Sequence, residues 1–282
     1  MDALRQIKRI TGQRKKVGHA GTLDPLARGV LPVCFGQATR LMDHIVGGVK
    51  RYRVEITLGV TTSTYDAEGE VVKTGDPLGV TEDMVQESLL PWIGRVKQTP
   101  PMYSAIKIDG KRLYELARAG IEGEREARSV DIHDIRIIEF AAPRLVLEVD
   151  CGGGTYIRSL AHDVGEALGC GGHVADLVRL LCGGFPAEES VTLEQLEDAG
   201  EGPDGWQRYI YQVDRVLRDL KSIKLARQAE EHLRHRHRVR EGAVDLAQML
   251  LWNETLGRLE QGLQLVQHGD PAAEAQMREV GH

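Results

Sequence analysis

Residues 18–31 read Gly18-His19-Ala20-Gly21-Thr22-Leu23-Asp24-Pro25-Leu26-Ala27-Arg28-Gly29-Val30-Leu31. They place one carboxylate, Asp24, in a turn bounded by glycines, which let other chain or ligand atoms approach closely. Pro25 removes a backbone donor and stiffens the turn. A carboxylate held in this way can act as a nucleophile or a general base. An Asp-Pro dipeptide by itself favours a plain turn, so the rest of the sequence has to decide.

Positive charge is concentrated in the part of the chain that contains this turn. The formal net charge is −6, but residues 1–53 contain 11 Lys and Arg against 3 Asp, and the remainder contains 25 basic and 39 acidic residues. Local charge decides the attraction to phosphates, because salt screens interactions beyond about 8–10 Å. The runs Lys8-Arg9 and Arg14-Lys15-Lys16 therefore indicate a nucleic-acid contact, and a solvated basic helix face is the alternative.

The composition argues against a membrane protein and a zinc protein. No apolar run is long enough to span a bilayer and the N-terminus lacks the apolar core of a secretion signal, so we expect a cytoplasmic protein without membrane contact. A structural zinc site usually has two close ligand pairs, whereas only Cys170 and His173 form a loose pair here. We therefore expect buried, reduced thiols and no metal at the four cysteines, Cys34, Cys151, Cys170 and Cys182.

Hydrophobic periodicity predicts alternating helices and strands. It indicates a helix over residues 2–10 and another that follows a Thr155 cap, and strands at 52–58, 130–138, 145–151 and 174–181. An acidic segment rich in Gly and Pro follows residue 187. We therefore expect one large domain over residues 1–190, with a basic, semi-independent excursion near 100–128, and a C-terminal region over 191–282.

Five blocks of this sequence, in the same order, resemble the motifs of the TruB family of tRNA pseudouridine synthases. The first is the Asp24 stretch at 19–31. The others begin at Lys50-Arg51-Tyr52, Pro100-Pro101-Met102-Tyr103, Gly154-Thr155-Tyr156-Ile157-Arg158 and Gly172-His173-Val174. Chance does not produce five ordered blocks over roughly residues 1–190. The resemblance therefore favours a reactive Asp24 over a plain turn.

The resemblance implies a mixed α/β pseudouridine synthase fold. A central, largely antiparallel sheet would carry flanking helices and an inserted thumb near 100–128. The implied reaction isomerises uridine 55 in the TΨC loop of tRNA: the N1–C1′ bond breaks, the uracil rotates, and C5 bonds to C1′. No group enters or leaves, so no cofactor is required. The carboxylate would either attack C1′ or remove the C2′ proton.

The resemblance also implies roles for single residues. Arg158 would pair with Asp24, keeping it ionised and oriented, and Tyr52 would stack on the flipped uracil. The other expected substrate contacts are His19 in the space left by flipped bases, Tyr156 at the uracil, Leu177 as an apolar wall, Lys107 on thumb phosphates, and Arg179.

Each of these residues also has an ordinary interpretation when it is taken alone. Tyr52 can be a strand aromatic, Arg158 a surface residue of the first helical turn, Leu177 a core residue and His19 a turn histidine. Asp66 is interpreted as a turn acid that orders its loop.

The implied partner is the T-arm of tRNA, bound by a monomer without a guide RNA. A guide-dependent synthase of the archaeal and eukaryotic branch is the further alternative, and the bacterial-type Leu26-Ala27 after Pro25 argues against it. Arg28 departs from the family, which commonly has a small hydroxyl residue there. An arginine so close to Asp24 can stabilise its charge, touch phosphate or point to solvent.

Both ends of the sequence also depart from the family pattern. Members usually begin with a strand that carries a Lys-Pro-x-Gly motif, whereas this sequence starts at Met1, so we expect a sheet without that strand. A non-catalytic tRNA-binding or tRNA-folding protein is therefore our alternative function. The resemblance predicts a C-terminal RNA-binding module of the PUA type. Beyond a possible hairpin at 250–259, residues 240–282 show little β alternation, so we expect a reduced or divergent module.

Overall fold

A ten-stranded mixed sheet forms the centre of the structure. The computed structural model describes residues 2–104, 106–108, 111–113, 117, 123, 125–200, 204–218 and 248–253. The helices are α1 (Asp2–Ile10), α2 (Met42–Gly47), α3 (Glu82–Leu89), α4 (Ile157–Ala167) and α5 (Leu193–Asp198). Short 3-10 helices cover Gly36–Leu41, Leu90–Trp92, Ala187–Glu189, Trp206–Tyr209 and Val213–Leu217.

The strands of the main sheet have the order β13-β14-β2-β11-β3-β10-β9-β6, with β1 paired to β2 and β12 to β11. Among the strand pairs that the structure describes in this sheet, β2–β11 is the only parallel one. The bounds are β1 Val17–His19, β2 Arg28–Phe35, β3 Lys50–Leu58, β6 Gly94–Gln98, β9 Arg128–Ala141, β10 Arg144–Cys151, β11 Gly172–Cys182, β12 Phe185–Pro186, β13 Ile210–Tyr211 and β14 Gln248–Asn253. Two separate ribbons consist of β4 (Val60–Thr62) with β5 (Val71–Thr74) and of β7 (Lys107–Ile108) with β8 (Lys111–Arg112). This confirms the expected mixed α/β fold with a largely antiparallel sheet.

Helix α4 packs its apolar face on the sheet. Leu160, Ala161 and Val164 are fully buried and belong to the same core cluster as the alternating residues Val54 and Ile56 of β3. The apolar residues at helical spacing in α4 and the alternating apolar residues of β3 therefore pack in one core, as the sequence predicts. The predicted Thr155 cap is wrong, because Tyr156 occupies the cap position of α4 and the hydroxyl of Thr155 donates to the Gly152 carbonyl at 3.2 Å.

The described residues after position 190 pack against the N-terminal part of the chain. Ile7 of α1 and Phe35 of β2 share an apolar cluster with Leu196 and Trp206, and the rings of Phe35 and Trp206 are 5.8 Å apart. Strand β14 (Gln248–Asn253) overlaps the start of the hairpin expected at 250–259, and it pairs along β2. The rest of the expected PUA-type module, at 219–247 and 254–282, lies outside the described residues. None of the helices described is long and apolar enough to cross a bilayer.

Candidate active site

A pocket of about 90 Å³ opens beside the side chain of Asp24. Its lining comes from four separate segments of the chain: the Asp24 loop, β3, the start of α4 and β11. The lining residues are Thr22, Leu23, Asp24, Ala27, Tyr52, Thr155, Tyr156, Ile157 and Leu177. The structure therefore brings Asp24, Tyr52, Tyr156 and Leu177 together, as the sequence analysis expected.

Arg158 holds Asp24 with two parallel hydrogen bonds. Nε of Arg158 donates to Oδ2 of Asp24 at 2.8 Å, and Nη2 donates to Oδ1 at 2.7 Å. The Arg158 side chain is 4% exposed and that of Asp24 is 32% exposed, so the alternative that Arg158 is a surface residue is wrong. A bidentate pair of this kind fixes both the position and the plane of the carboxylate. The exposed part of Asp24 borders the pocket.

The remaining donors of Arg158 reach two other segments. Nη1 donates to the Thr64 carbonyl at 3.1 Å and lies 3.3 Å from Oδ2 of Asp66, and Nη2 also donates to the Tyr103 carbonyl at 3.0 Å. A guanidinium has five N–H groups, and Arg158 makes four hydrogen bonds and the ion pair with Asp66. Arg158 is therefore held from several sides and has little freedom to move away from Asp24.

Asp66 is a second acid of this site, and its contact with Arg158 was missed in the sequence. Its side chain is 4% exposed, it accepts from the Glu68 amide at 3.1 Å, and the Thr64 hydroxyl also donates to it. It orders its turn, as expected, but it also places a buried negative charge against Arg158. No local pattern indicates this contact. Only the count of Arg158 donors, more than Asp24 can accept, suggests a further acceptor.

Tyr52 lies in the middle of the sheet. It faces Val149 of β10 and Arg179 of β11 in the strand register. Its ring lines the pocket and packs against the main core, so it is a strand aromatic and a pocket residue at once. Burial raises the pKa of Tyr52 to about 12, and its hydroxyl therefore stays protonated at neutral pH.

Arg179 supports the Asp24 loop from β11. It is 1% exposed, and it donates to the carbonyls of Val30 at 2.9 Å and Gly21 at 3.0 Å. The backbones approach so closely that a Cβ at Gly29, whose φ is +102°, would lie 2.2 Å from the Arg179 carbonyl oxygen. These contacts favour a positioning role for Arg179, which the sequence analysis grouped with the substrate contacts.

The backbone of Tyr156 is held by a buried amide that the sequence analysis did not single out. Gln98, at the end of β6, is 2% exposed. Its Oε1 accepts from the Tyr156 amide at 2.8 Å and its Nε2 donates to the Tyr156 carbonyl at 3.0 Å. The Ser159 hydroxyl donates to the Thr99 carbonyl at 2.8 Å. The start of α4 is therefore bound to the end of β6.

The other expected substrate contacts occupy different surroundings. Leu177 is 3% exposed and serves as core and pocket wall together. His19 ends β1 beside the Asp24 loop, and burial lowers its pKa. It is not among the residues that line the pocket. Lys107 lies in β7, and its side chain falls outside what the structure describes.

Arg28 pairs with Asp176, across the parallel contact of β2 with β11. None of the three expectations for Arg28 included this partner. All four cysteines are buried free thiols, and burial raises the pKa of Cys34 to about 12 and that of Cys151 to about 11. Over the described ranges, no three His, Cys, Asp or Glu side chains form a group suited to a metal ion.

The arrangement suits a reaction in which one oriented carboxylate acts on a small group bound in the pocket. Asp24 is fixed by Arg158 and stays partly accessible, and the aromatic ring of Tyr52 and the apolar side chain of Leu177 line the pocket beside it. Such a carboxylate can form a covalent bond to a carbon or remove a proton from one.

Comparison with known proteins gives two family matches. The family model described as TruB family pseudouridylate synthase, N-terminal domain, matches residues 8–157. The model described as tRNA pseudouridylate synthase B, C-terminal domain, matches residues 158–224. The first match alone includes the Asp24 loop, Tyr52 and Tyr156.

Curated relatives include proteins named tRNA pseudouridine synthase B. The one from Heliobacterium modesticaldum is 50% identical over 194 residues, which are 68% of this chain and 62% of that protein. The one from Alkaliphilus oremlandii is 49% identical over 183 residues, 65% of this chain and 61% of that protein. The one from Nitrosococcus oceani is 44% identical over 239 residues, 84% and 77%. The chain thus spans about three fifths of the length of the first two relatives.

Solved structures with the same fold include the crystal structure of a Cbf5-Nop10-Gar1 complex. It matches with a TM-score of 0.54 and 31% identity, over 70% of this chain and 49% of that chain. A structure of an H/ACA RNP bound to a substrate RNA containing 2′-deoxyuridine matches with a TM-score of 0.51 and 28% identity, over 70% and 48%.

Proposed function

Since the chain belongs to the TruB family of pseudouridylate synthases, we propose that it isomerises uridine to pseudouridine at position 55 in the TΨC loop of tRNA. The observation that carries this proposal is the bidentate Arg158–Asp24 pair at the edge of a pocket lined by Tyr52. The reaction needs one oriented carboxylate beside a site for a flat base, and this pair with its pocket supplies both.

Asp24 is the reacting group of the proposed mechanism. Its accessible part would attack C1′ of the flipped nucleotide and displace N1 of the uracil, or it would remove the C2′ proton as the N1–C1′ bond breaks. When C5 then bonds to C1′, the bond from Asp24 to C1′ breaks or the proton returns to C2′. The proton on C5 is lost and N1 gains one, so that no group enters or leaves. Arg158 orients the carboxylate and does not itself touch the base. Asp66 in turn gives the guanidinium a second anionic partner, on the side away from Asp24.

Tyr52 and Leu177 would hold the uracil during its rotation. Extrusion of a base from its stack costs a few kcal/mol, and stacking on an aromatic ring returns roughly 1–3 kcal/mol. Because the Tyr52 hydroxyl stays protonated at neutral pH, its ring carries no charge that would repel the nucleotide. Leu177 closes the pocket with an apolar wall.

Exposed cations beside the Asp24 loop suit phosphate binding. Arg14, Lys15 and Lys16 are exposed and directly precede β1, the strand that ends at His19. They are close in sequence to the pocket loop, and cations so placed would draw the T-arm backbone toward it.

The protein would act as a cytoplasmic monomer without a guide RNA. The support is that curated relatives 44–50% identical to the chain carry the name tRNA pseudouridine synthase B. The structural neighbours, a Cbf5-Nop10-Gar1 complex and an H/ACA RNP, are only 31% and 28% identical. We propose residues 1–190 as the catalytic domain, its thumb near 100–128, and 191–282 as a region that adds RNA contacts.

The test is a pseudouridine map of a tRNA transcript after incubation with the full chain and no other RNA. Modification at position 55 supports the proposal. Tight tRNA binding with no modification at saturating protein overturns it in favour of the non-catalytic alternative. Modification that appears only after a guide RNA is added overturns the proposal that the protein acts without a guide. Sedimentation of the free protein as a dimer overturns the proposal that it is a monomer.

A further inference from the structure

One turn of α4 separates Arg158 from His162. Residues four apart on a helix lie on the same face, so the two side chains reach the same neighbouring loop, between β4 and β5. Arg158 contacts Thr64 through its carbonyl and Asp66 through its carboxylate. The residue between these two contacts is Tyr65, and its ring stacks on His162. Three consecutive loop residues are thus held by one face of α4.

The stack is close and nearly parallel. The ring centroids of Tyr65 and His162 are 3.9 Å apart and their planes differ by 6°. Nδ1 of His162 is buried and has no hydrogen-bond partner within the described part of the chain. Among the described residues, the ring contact with Tyr65 therefore holds the imidazole without help from a hydrogen bond of Nδ1.

Tyr65 has an unusual backbone conformation. Its φ is +64°, in the left-handed region that large side chains rarely adopt. Its amide donates to the Thr62 carbonyl at 3.2 Å, and its carbonyl accepts from the Val174 amide of β11 at 3.0 Å. A residue stays in such a conformation only when its surroundings hold it there. The stack on His162 is the side-chain part of that hold.

We propose that Tyr65 and His162 are positioning residues of the active site, whose ring stack keeps the Thr64 carbonyl and the Asp66 carboxylate against Arg158 and so sets the orientation of Asp24. The proposal rests on the proposed function, because it assigns these residues to the same site. Neither residue is among those that line the pocket. Their effect therefore passes through Arg158 and not through the substrate.

Single-turnover rates on a tRNA transcript test the proposal. Tyr65→Ala and His162→Ala should each slow pseudouridine formation by about 10-fold to 100-fold, the range for small misplacements of a reacting group. The Kd for tRNA should stay unchanged. Tyr65→Phe and His162→Phe keep an aromatic ring and should recover most of the rate. The double variant Tyr65→Ala/His162→Ala should be no slower than the slower single variant, since both remove one contact. Phe140→Ala, which removes a ring packed on the main core outside the pocket lining, is the matched control and should keep the wild-type rate.

A second measurement needs no turnover. The Nε–H resonance of Arg158, identified by its loss in Arg158→Lys, reports the hydrogen bond to Asp24 directly. It should shift in Tyr65→Ala and keep its wild-type position in Tyr65→Phe. An unshifted resonance in both variants overturns the proposal, as do equal rates for Tyr65→Ala and wild type. If the wild-type protein forms no pseudouridine, the proposed function fails while this resonance still decides the positioning role.

Discussion

Arg158 and Asp24 are 134 residues apart in the chain, and their side chains meet through two hydrogen bonds of 2.8 and 2.7 Å. The guanidinium is buried and the carboxylate is about one third exposed. One partner is thus fixed in the protein while the other keeps access to the pocket. This division of roles leads to the first two predictions.

Asp24→Asn should abolish turnover and spare binding. The amide keeps the size of the side chain but cannot act as nucleophile or base, so we expect a loss of at least about 100-fold in the rate of pseudouridine formation. The Kd for tRNA should stay near the wild-type value, because the carboxylate makes no phosphate contact. Asp43→Asn, at an exposed site on α2, is the control. Equal losses of binding and turnover in Asp24→Asn contradict the assigned role.

Arg158→Met should destabilise the fold as well as stop catalysis. It leaves the buried Asp66 carboxylate without its cation, and removal of one partner from a buried pair costs about 3–5 kcal/mol. Denaturant unfolding with comparison of m-values measures this loss. Arg53→Met is the control, because the Arg53–Glu148 pair has a 53% exposed arginine and its loss costs under about 1 kcal/mol. Similar losses in the two variants are evidence against a buried Arg158 network.

The Arg28–Asp176 pair should contribute little to stability. Its side chains are 31% and 40% exposed, and pairs of this exposure couple by under about 1 kcal/mol. A double-mutant cycle with Arg28→Ala and Asp176→Ala should give that coupling in dilute buffer, and about 1 M salt should reduce it. The exchanged pair Arg28→Asp/Asp176→Arg should show the same small coupling free energy in dilute buffer. A coupling of several kcal/mol, or one insensitive to salt, rules out this description.

Asp163→Asn should stabilise the protein at neutral pH. Burial, with a smaller effect of Glu166, raises the pKa of Asp163 to about 6 from its ordinary value of 3.8. Folding therefore favours the protonated acid, and this contribution is complete below about pH 4 and lost as the pH rises to about 6. At pH 7 the variant should gain about 1 kcal/mol, a value reduced because the side chain is partly solvated. Thermal unfolding at pH 4 and pH 7 measures this gain.

The matched control for Asp163→Asn is Glu87→Gln, an exposed carboxylate on α3, which should change stability by less than about 0.5 kcal/mol at either pH. A gain in Asp163→Asn that is as large at pH 4 as at pH 7 comes from something other than the ionised carboxylate.

Local patterns predicted the elements that carry the site. The alternation of Val54 and Ile56 and the helical spacing of Leu160 and Val164 are short-range signals, and the structure confirms β3 and α4 where they stand. The family resemblance implied that Asp24 and its pocket neighbours would meet, and the structure places them around one pocket. The helix and strand predictions hold because hydrophobic periodicity depends on residues that are close together in the sequence.

Contacts through space could not be predicted in the same way. Asp66 occupies an ordinary turn pattern, and only folding brings its carboxylate to Arg158. Gln98 has no local feature that indicates the two bonds to Tyr156. The alternation of residues in β11 predicts on which face of the sheet Arg179 lies. It does not predict that the side chain donates to the Gly21 and Val30 carbonyls. These positions depend on how remote segments approach each other.

The two hydrogen bonds between Gln98 and the backbone of Tyr156 have a mechanical consequence. The side-chain amide of Gln98 pairs with the Tyr156 backbone as a neighbouring strand would. Arg158 follows two residues later and donates to the Tyr103 carbonyl. Gln98 ends β6 and Tyr103 follows it, so a displacement of this segment would act on the contacts at the start of α4. The displacement would also reach Arg158, because this guanidinium binds both the Tyr103 carbonyl and Asp24.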